Sequence, residues 1–311
     1  MSERWRDISR DAYRALRARP DAWRDAVADV AARHGLAAGT IVALGGSNLV
    51  AAVGDATVVK IYPPFLRDQW KAERRALPAV NGRIGVATPA PLHEGEIDGW
   101  TYLVMTRVDG APFAEAFAAA GEDERVDLLE QIGALIGEVQ RASPAALAPW
   151  DALVPGQLAG YEARHARLGL PPALLAGLRP YVDRALARGA LPAGYPPVLL
   201  TGEYTPENLL VRRAGGRWAI AALLDFGDAM VGPAEYDLLG PSTFLGAGRP
   251  ARVRALLRGA GAALTPALRE RLMLLLILHR HGDLDVQIAI DGWRDAPSVD
   301  ALAELIWPEG V

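Results

Sequence analysis

Strand-forming sequence is concentrated in one part of this chain, and that asymmetry limits what it can fold into. The runs IVAL (41–44), NLVAAV (48–53) and TVVKIY (57–62) are rich in β-branched residues and are punctuated by Gly45-Gly46-Ser47 and Gly54-Asp55. Short runs broken by turn residues predict a small, twisted antiparallel sheet. After the Pro63-Pro64 break a helix is expected over 66–77, with further strands at 90–93 and 100–105. Ahead of the sheet, Trp5, Ile8, Leu16, Trp23, Val27 and Val30 recur at roughly helical spacing, which predicts one helix over 2–34 stopped by His34-Gly35. From Val108-Asp109-Gly110 onward the texture is Ala- and Leu-rich helix, as in the face Val126, Leu129, Ile132, Ile136, Val139. Only 198–200, 209–212 and 218–224 read as strands there, the last two joined through Ala214-Gly215-Gly216. The expectation is an α+β, bilobal fold: an antiparallel-sheet N-lobe over 1–107 and a mainly helical C-lobe over 108–311.

A chain of 311 residues, 51% apolar and 23% charged, can supply both lobes with cores. Its net charge of -4, with no block of Lys or Arg, argues against a nucleic-acid partner and favours a polar or cationic small molecule. The absence of cysteine excludes disulfides, thiolate zinc sites and thiol nucleophiles. The first 20 residues are charged throughout, unlike a signal peptide, and the aliphatic run 272–278 is far short of the roughly 20 residues that span a bilayer. A cytoplasmic monomer or homodimer with no membrane partner is therefore expected.

The chemistry concentrates in LLTGEYTPENLLV (199–211) and AIAALLDFGDAM (219–230). A polar loop feeding a hairpin places Glu203 and Asn208 near its entrance, and the second strand returns Asp225 to the same end. Two carboxylates and an amide then converge, a hard-oxygen set suited to Mg²⁺ and phosphoryl transfer.

Glu203-x-x-x-x-Asn208 followed by Asp225-Phe226-Gly227 resembles the catalytic loop and metal motif of aminoglycoside phosphotransferases, small-molecule kinases with a protein-kinase-like fold. Gly45-Gly46-Ser47-Asn48, Tyr102-Leu103-Val104-Met105 and the tail 274–307 resemble the hygromycin B phosphotransferases among them. The resemblance implies ATP or GTP with Mg²⁺ as cofactors, and an aminoglycoside or related aminocyclitol as acceptor. It implies Glu203 as proton acceptor, with Asn208 and Asp225 on the metal. Gly45, Gly46, Ser47 and Lys60 would lie at the phosphates, Glu73 would pair with Lys60, and Met105, Thr106, Arg107 and Val108 would offer backbone groups to the base. Asp237 would brace the catalytic loop.

The family's His-Gly-Asp reads Thr201-Gly202-Glu203 here. Thr201 offers only a short hydroxyl, and the extra methylene of Glu203 moves its carboxylate by more than ~1 Å, a displacement that can cost roughly 100-fold in rate. An active kinase is favoured, because Asn208 and Asp225 are retained. The alternatives are a nucleotide-binding pseudokinase, or a kinase of another small hydroxylated metabolite. A literal His281-Gly282-Asp283-Leu284 is rejected as the catalytic loop, since it follows Asp225 and carries Ile288 where an Asn is needed. It is read as the polar end of a buried helix, or as a source of Asp283 and Asp285 for the acceptor cleft. Asp228 is expected to face either acceptor or solvent.

Overall fold

The computed structural model describes residues 5, 8–36, 39–143, 146–191 and 194–309. The N-terminal region is not the single helix expected but two, α1 (Arg10–Arg17) and α2 (Arg24–Arg33). Pro20 separates them: its ring disfavours helical backbone at the preceding residue, and Arg19 accordingly sits at φ -123°, ψ 81°. Both helices pack on a five-stranded antiparallel sheet of order β1-β2-β3-β5-β4. Its strands are β1 (Ile41–Leu44), β2 (Leu49–Val53), β3 (Thr57–Tyr62), β4 (Pro91–Ile97) and β5 (Trp100–Thr106). The other side of the sheet is covered by α3 (Arg67–Val80), whose Ala76, Leu77 and Val80 are buried in a core continuous with the helical part.

Two strands escaped the sequence pattern because they are only two and three residues long. After β5 comes β6 (Ala111–Pro112), which pairs with β8 (Leu209–Ala214), itself hairpinned to β9 (Arg217–Leu223). Likewise β10 (Met230–Gly232) pairs with β7 (Val198–Leu200). Around these lie α4 (Phe113–Ala119), α5 (Glu122–Arg141), α6 (Val154–Arg167), α7 (Pro172–Ala187), the one-turn α8 (Leu239–Pro241), α9 (Pro250–Gly259), α10 (Pro266–Ile277), α11 (Leu284–Gln287) and α12 (Val299–Ile306). The expected apolar face of α5 buries Leu129, Ile132, Ile136 and Val139, and the aliphatic run is wholly buried in and just after α10. No helix among the described residues is long and apolar enough to cross a membrane.

The five-stranded sheet and the two smaller ones position the site. β3 is central, with Lys60 opposite Val50 and Leu103, while β7, β8 and β9 end in the loops carrying Glu203, Asn208 and Asp225.

Candidate active site

Lys60 is buried, and its Nζ donates to Glu73 Oε2 at 2.7 Å and Asp225 Oδ1 at 2.9 Å. Glu73, on α3, also accepts from the Tyr62 hydroxyl at 2.5 Å and the Phe226 backbone N–H at 3.4 Å. One carboxylate thus ties strand, helix and the Asp-Phe-Gly turn together. Burial opposes charge on Lys60, but Asp225 and Glu73 outweigh it and hold the ammonium above its usual range. Burial pushes Glu73 upward against the pull of Lys60. When ionised, the trio holds one positive and two negative charges, so a further cation is electrostatically favoured.

The hairpin delivers the metal candidates. Leu224 N–H donates to the Asn208 carbonyl at 2.8 Å, so Asp225 leaves β9 beside Asn208. Asp225 adopts left-handed backbone, φ 57°, and its Oδ1 accepts from Gly227 N–H at 2.9 Å as well as from Lys60. Asn208 Nδ2 donates to the Glu203 carbonyl at 3.1 Å. Among the described residues, Asp225 Oδ2 and Asn208 Oδ1 receive no hydrogen bond. These two hard oxygens fit Mg²⁺, which takes few protein ligands.

The loop bearing Glu203 hangs on Asp237, whose carboxylate oxygens accept from the N–H groups of Thr201 at 3.0 Å and Gly202 at 2.9 Å. Burial pushes the Asp237 carboxyl up to about 7 against those two bonds. Gly202 is required at its position: its φ is +76°, and a Cβ there would lie 2.7 Å from the Asp228 carbonyl oxygen. Asp237→Ala would orphan two loop N–H groups, at about 1–3 kcal/mol for each that stays dry. The expected outcome is a lower thermal midpoint together with lost activity, read by calorimetry and assay.

Glu203 Oε1 lies 3.3 Å from His281 Nε2, which is also 3.0 Å from Asp228 Oδ2. Asp228 does not face solvent: it is 3% exposed and holds Gln69 Nε2 at 3.2 Å and Arg280 Nη1 at 3.1 Å. Burial acts to raise Asp228, but His281 and Arg280 outweigh it and keep its carboxyl well below the usual range. Burial raises Glu203, opposed by His281, while the hydrogen bonds to Asp228 and Glu203 lift His281 to about 9.

Beside Glu203 opens a cavity of about 230 Å³ whose walls include Phe244, His281, Asp283, Val286 and Gln287. Asp283 is there, though its side chain also accepts from Asp285 N–H at 3.2 Å to cap α11. Asp285 is not on that wall: it pairs with Arg294 at 2.6 Å. On the same wall, His279 stacks on Tyr236 with ring centroids 4.9 Å apart and lies 2.9 Å through Nδ1 from Gln287 Nε2. Burial, then the charges of His281 and Arg280, lower it to about 3. The unfolded chain therefore binds the extra proton below about 6.5, so the stability His279 confers is complete above that pH and is lost as pH falls towards 3. The slope is up to about 1.4 kcal/mol per pH unit. His279→Gln should flatten the fall of the thermal midpoint between pH 6.5 and 4.

On the sheet side, the carbonyls of Gly46 and Ser47 accept from Arg17 Nη1 at 2.8 Å and the Tyr13 hydroxyl at 3.0 Å, so α1 holds the glycine loop. Asn48 Nδ2 reaches Gln69 Oε1 at 3.2 Å. Beyond β5, the N–H groups of Thr106 and Arg107 are spent on the carbonyls of Ala90 and Ala56, so those two donors of the 105–108 segment are not free for a base. His281, Gln69, Tyr62 and Arg280 were not anticipated. The signal for His281 was present in His281-Gly282-Asp283, but chain order alone does not show that it returns to Glu203.

A strand lysine paired to a helix glutamate, an Asp-Phe-Gly turn and a braced loop carboxylate define a kinase-like phosphotransferase. The chain belongs to the phosphotransferase enzyme family, whose model matches residues 38–275. It is accordingly a small-molecule kinase acting on an alcohol group. Its fold is similar to the GDP and kanamycin complex of APH(2")-IIia, with TM-score 0.65, 17% identity, and 91% of this chain and 97% of that one covered. It is similar also to macrolide 2'-phosphotransferase MphH from Brachybacterium faecium, with TM-score 0.58, 20% identity, and 92% and 99% covered. A third similar structure is aminoglycoside phosphotransferase APH(3'')-Id from Streptomyces rimosus, with TM-score 0.57, 19% identity, and 82% and 98% covered. No curated protein matches the sequence.

Proposed function

We propose that this protein transfers the γ-phosphoryl group of ATP or GTP to a hydroxyl of an aminoglycoside or related aminocyclitol in the cytoplasm, as a monomer or homodimer. The observation that carries this reading is Lys60 held between Glu73 and Asp225 at 2.7 and 2.9 Å, at the mouth of the loop bearing Glu203 and Asn208. Similar folds include complexes with GDP and kanamycin and with streptomycin and ATP. The motifs named above favour hygromycin B as the first acceptor to try.

In this reading the N-lobe, 1–107, and the C-lobe, 108–311, enclose the nucleotide. The glycine loop 45–47 approaches the phosphates, Lys60 binds phosphate oxygens, and Val108 meets the base. Asn208 and Asp225 would hold Mg²⁺, which supplies charge neutralisation at the phosphates. Glu203, raised by burial towards the working pH of a general base, takes the proton of the acceptor hydroxyl lodged beside Asp283. Asp237 keeps the loop in place.

The test is an ATP- and GTP-dependent phosphorylation screen over hygromycin B, kanamycin, streptomycin, gentamicin and a macrolide, with products read by mass spectrometry. A phosphorylated aminoglycoside supports the proposal. Nucleotide-induced thermal stabilisation without any phosphorylated acceptor supports the pseudokinase reading instead.

A further inference from the structure

We propose that His281, anchored by Asp228, is the positioning residue for the carboxylate of Glu203 during phosphoryl transfer. This rests on the kinase reading above and assigns a part to a segment some 80 residues beyond the catalytic loop.

The loop itself fixes only the main chain of Glu203. Its N–H donates to Thr201 Oγ1 at 3.3 Å, and its carbonyl accepts from Asn208 Nδ2 at 3.1 Å. Neither bond restrains the carboxylate, which ends an unbranched side chain with three rotatable torsions. Among the described residues, the only cationic group within ion-pairing distance of that carboxylate is His281, whose Nε2, bonded to Asp228 Oδ2, lies 3.3 Å from Glu203 Oε1.

His281 needs an anchor of its own, being half exposed at the cavity wall, and Asp228 is built as one. Asp228 is buried and receives Gln69 Nε2 on Oδ1 and His281 Nε2 on Oδ2, with Arg280 Nη1 also beside Oδ1. Gln69 lies on the same helix as Glu73 and is joined to Asn48 beside the glycine loop. The anchor is therefore referenced to the phosphate side of the site, and the imidazole to the anchor. Glu203, Asp228 and His281 offer atoms all within 4.8 Å of one another. Without the imidazole, the two acids would face each other with no cation between them. The other ionisable groups facing His281 are Arg280, His279 behind it with ring centroids 5.6 Å apart, and Asp283 across the cavity.

Two measurements on the full-length protein test this. The first needs no acceptor: ¹⁵N-histidine spectra recorded against pH. His281 should titrate near 9 in the wild type, and its midpoint should fall towards 6.5 in Asp228→Asn and fall measurably in Glu203→Gln. A wild-type midpoint near 6.5, or one that ignores Glu203→Gln, overturns the proposal whether or not any acceptor is phosphorylated. The second uses the acceptor found in the screen. His281→Ala should lower kcat by about 100-fold with the KM for ATP unchanged, and His281→Gln, which keeps a donor, should recover part of the loss. In the Glu203→Gln background His281→Ala should cost nothing further. Multiplying losses, or a loss confined to KM, would show a merely structural histidine and overturn it. If the screen finds no acceptor, the kinase reading falls, while the spectra still decide whether His281 holds Glu203.

Discussion

Asp225→Ala is expected to lower phosphoryl transfer by about 1000-fold, since it removes a pre-placed group whose work is electrostatic. Asp225 serves three partners from one position. Its Oδ1 accepts from Lys60 at 2.9 Å and from Gly227 N–H at 2.9 Å, and its Oδ2 remains for a cation. Its left-handed backbone, φ 57°, is tolerated by Asp more readily than by Ala, so the turn relaxes as well. Asp225→Asn separates these effects: it keeps the size and the left-handed preference but loses the charge. If charge is what matters, Asn should fail nearly as badly as Ala, in an assay of phosphorylated acceptor at saturating ATP and Mg²⁺. Asn activity within tenfold of wild type would show that geometry, not charge, is the contribution of this residue.

Lys60→Met should destabilise the fold by about 3 kcal/mol, the scale for removing one member of a buried ion pair. The side chains of Lys60 and Glu73 are 5% and 2% exposed, so the loss leaves Glu73 as a buried anion with, among the described residues, only the Tyr62 hydroxyl and Phe226 N–H as donors. Burial already raises Glu73, and without Lys60 it rises further. A folded-state carboxyl raised above its unfolded value binds its proton more tightly in the native protein. The variant's deficit should therefore grow as pH rises and shrink as pH falls. Adding Glu73→Gln should recover part of the stability, because the orphan charge is gone, although activity stays lost. Urea unfolding at pH 5.5 and 8 for the two single variants and the double completes the cycle. Additive losses would mean that the pair is not energetically coupled.

The α+β architecture was legible in the chain itself because it rests on local pattern. TVVKIY is rich in β-branched residues, the α5 face repeats at helical spacing, and Gly215-Gly216 supplies two successive left-handed residues for the hairpin between β8 and β9. The same locality explains the misreadings. Pro20 broke a helix that periodicity alone carried through, and β6 and β10 were too short to have a period. Candidate site residues were legible where one short motif holds both the residue and its neighbour, as with Asp225-Phe226-Gly227. The role of Asp228 was not, since nothing near it in sequence announces Gln69, Arg280 or His281.

What the sequence by itself determined is therefore most of the elements, their order, and the chemical types available at each turn, all consequences of backbone preference and apolar spacing within a few residues. Only the tertiary structure decided that Lys60 is shared by two acids, that Asp285 is spent on Arg294, and that His281 returns to Glu203. Those contacts join residues from 9 to 165 positions apart. Such contacts are set by the packing of helices and sheet around a common core, which carries no signature in any one stretch of chain.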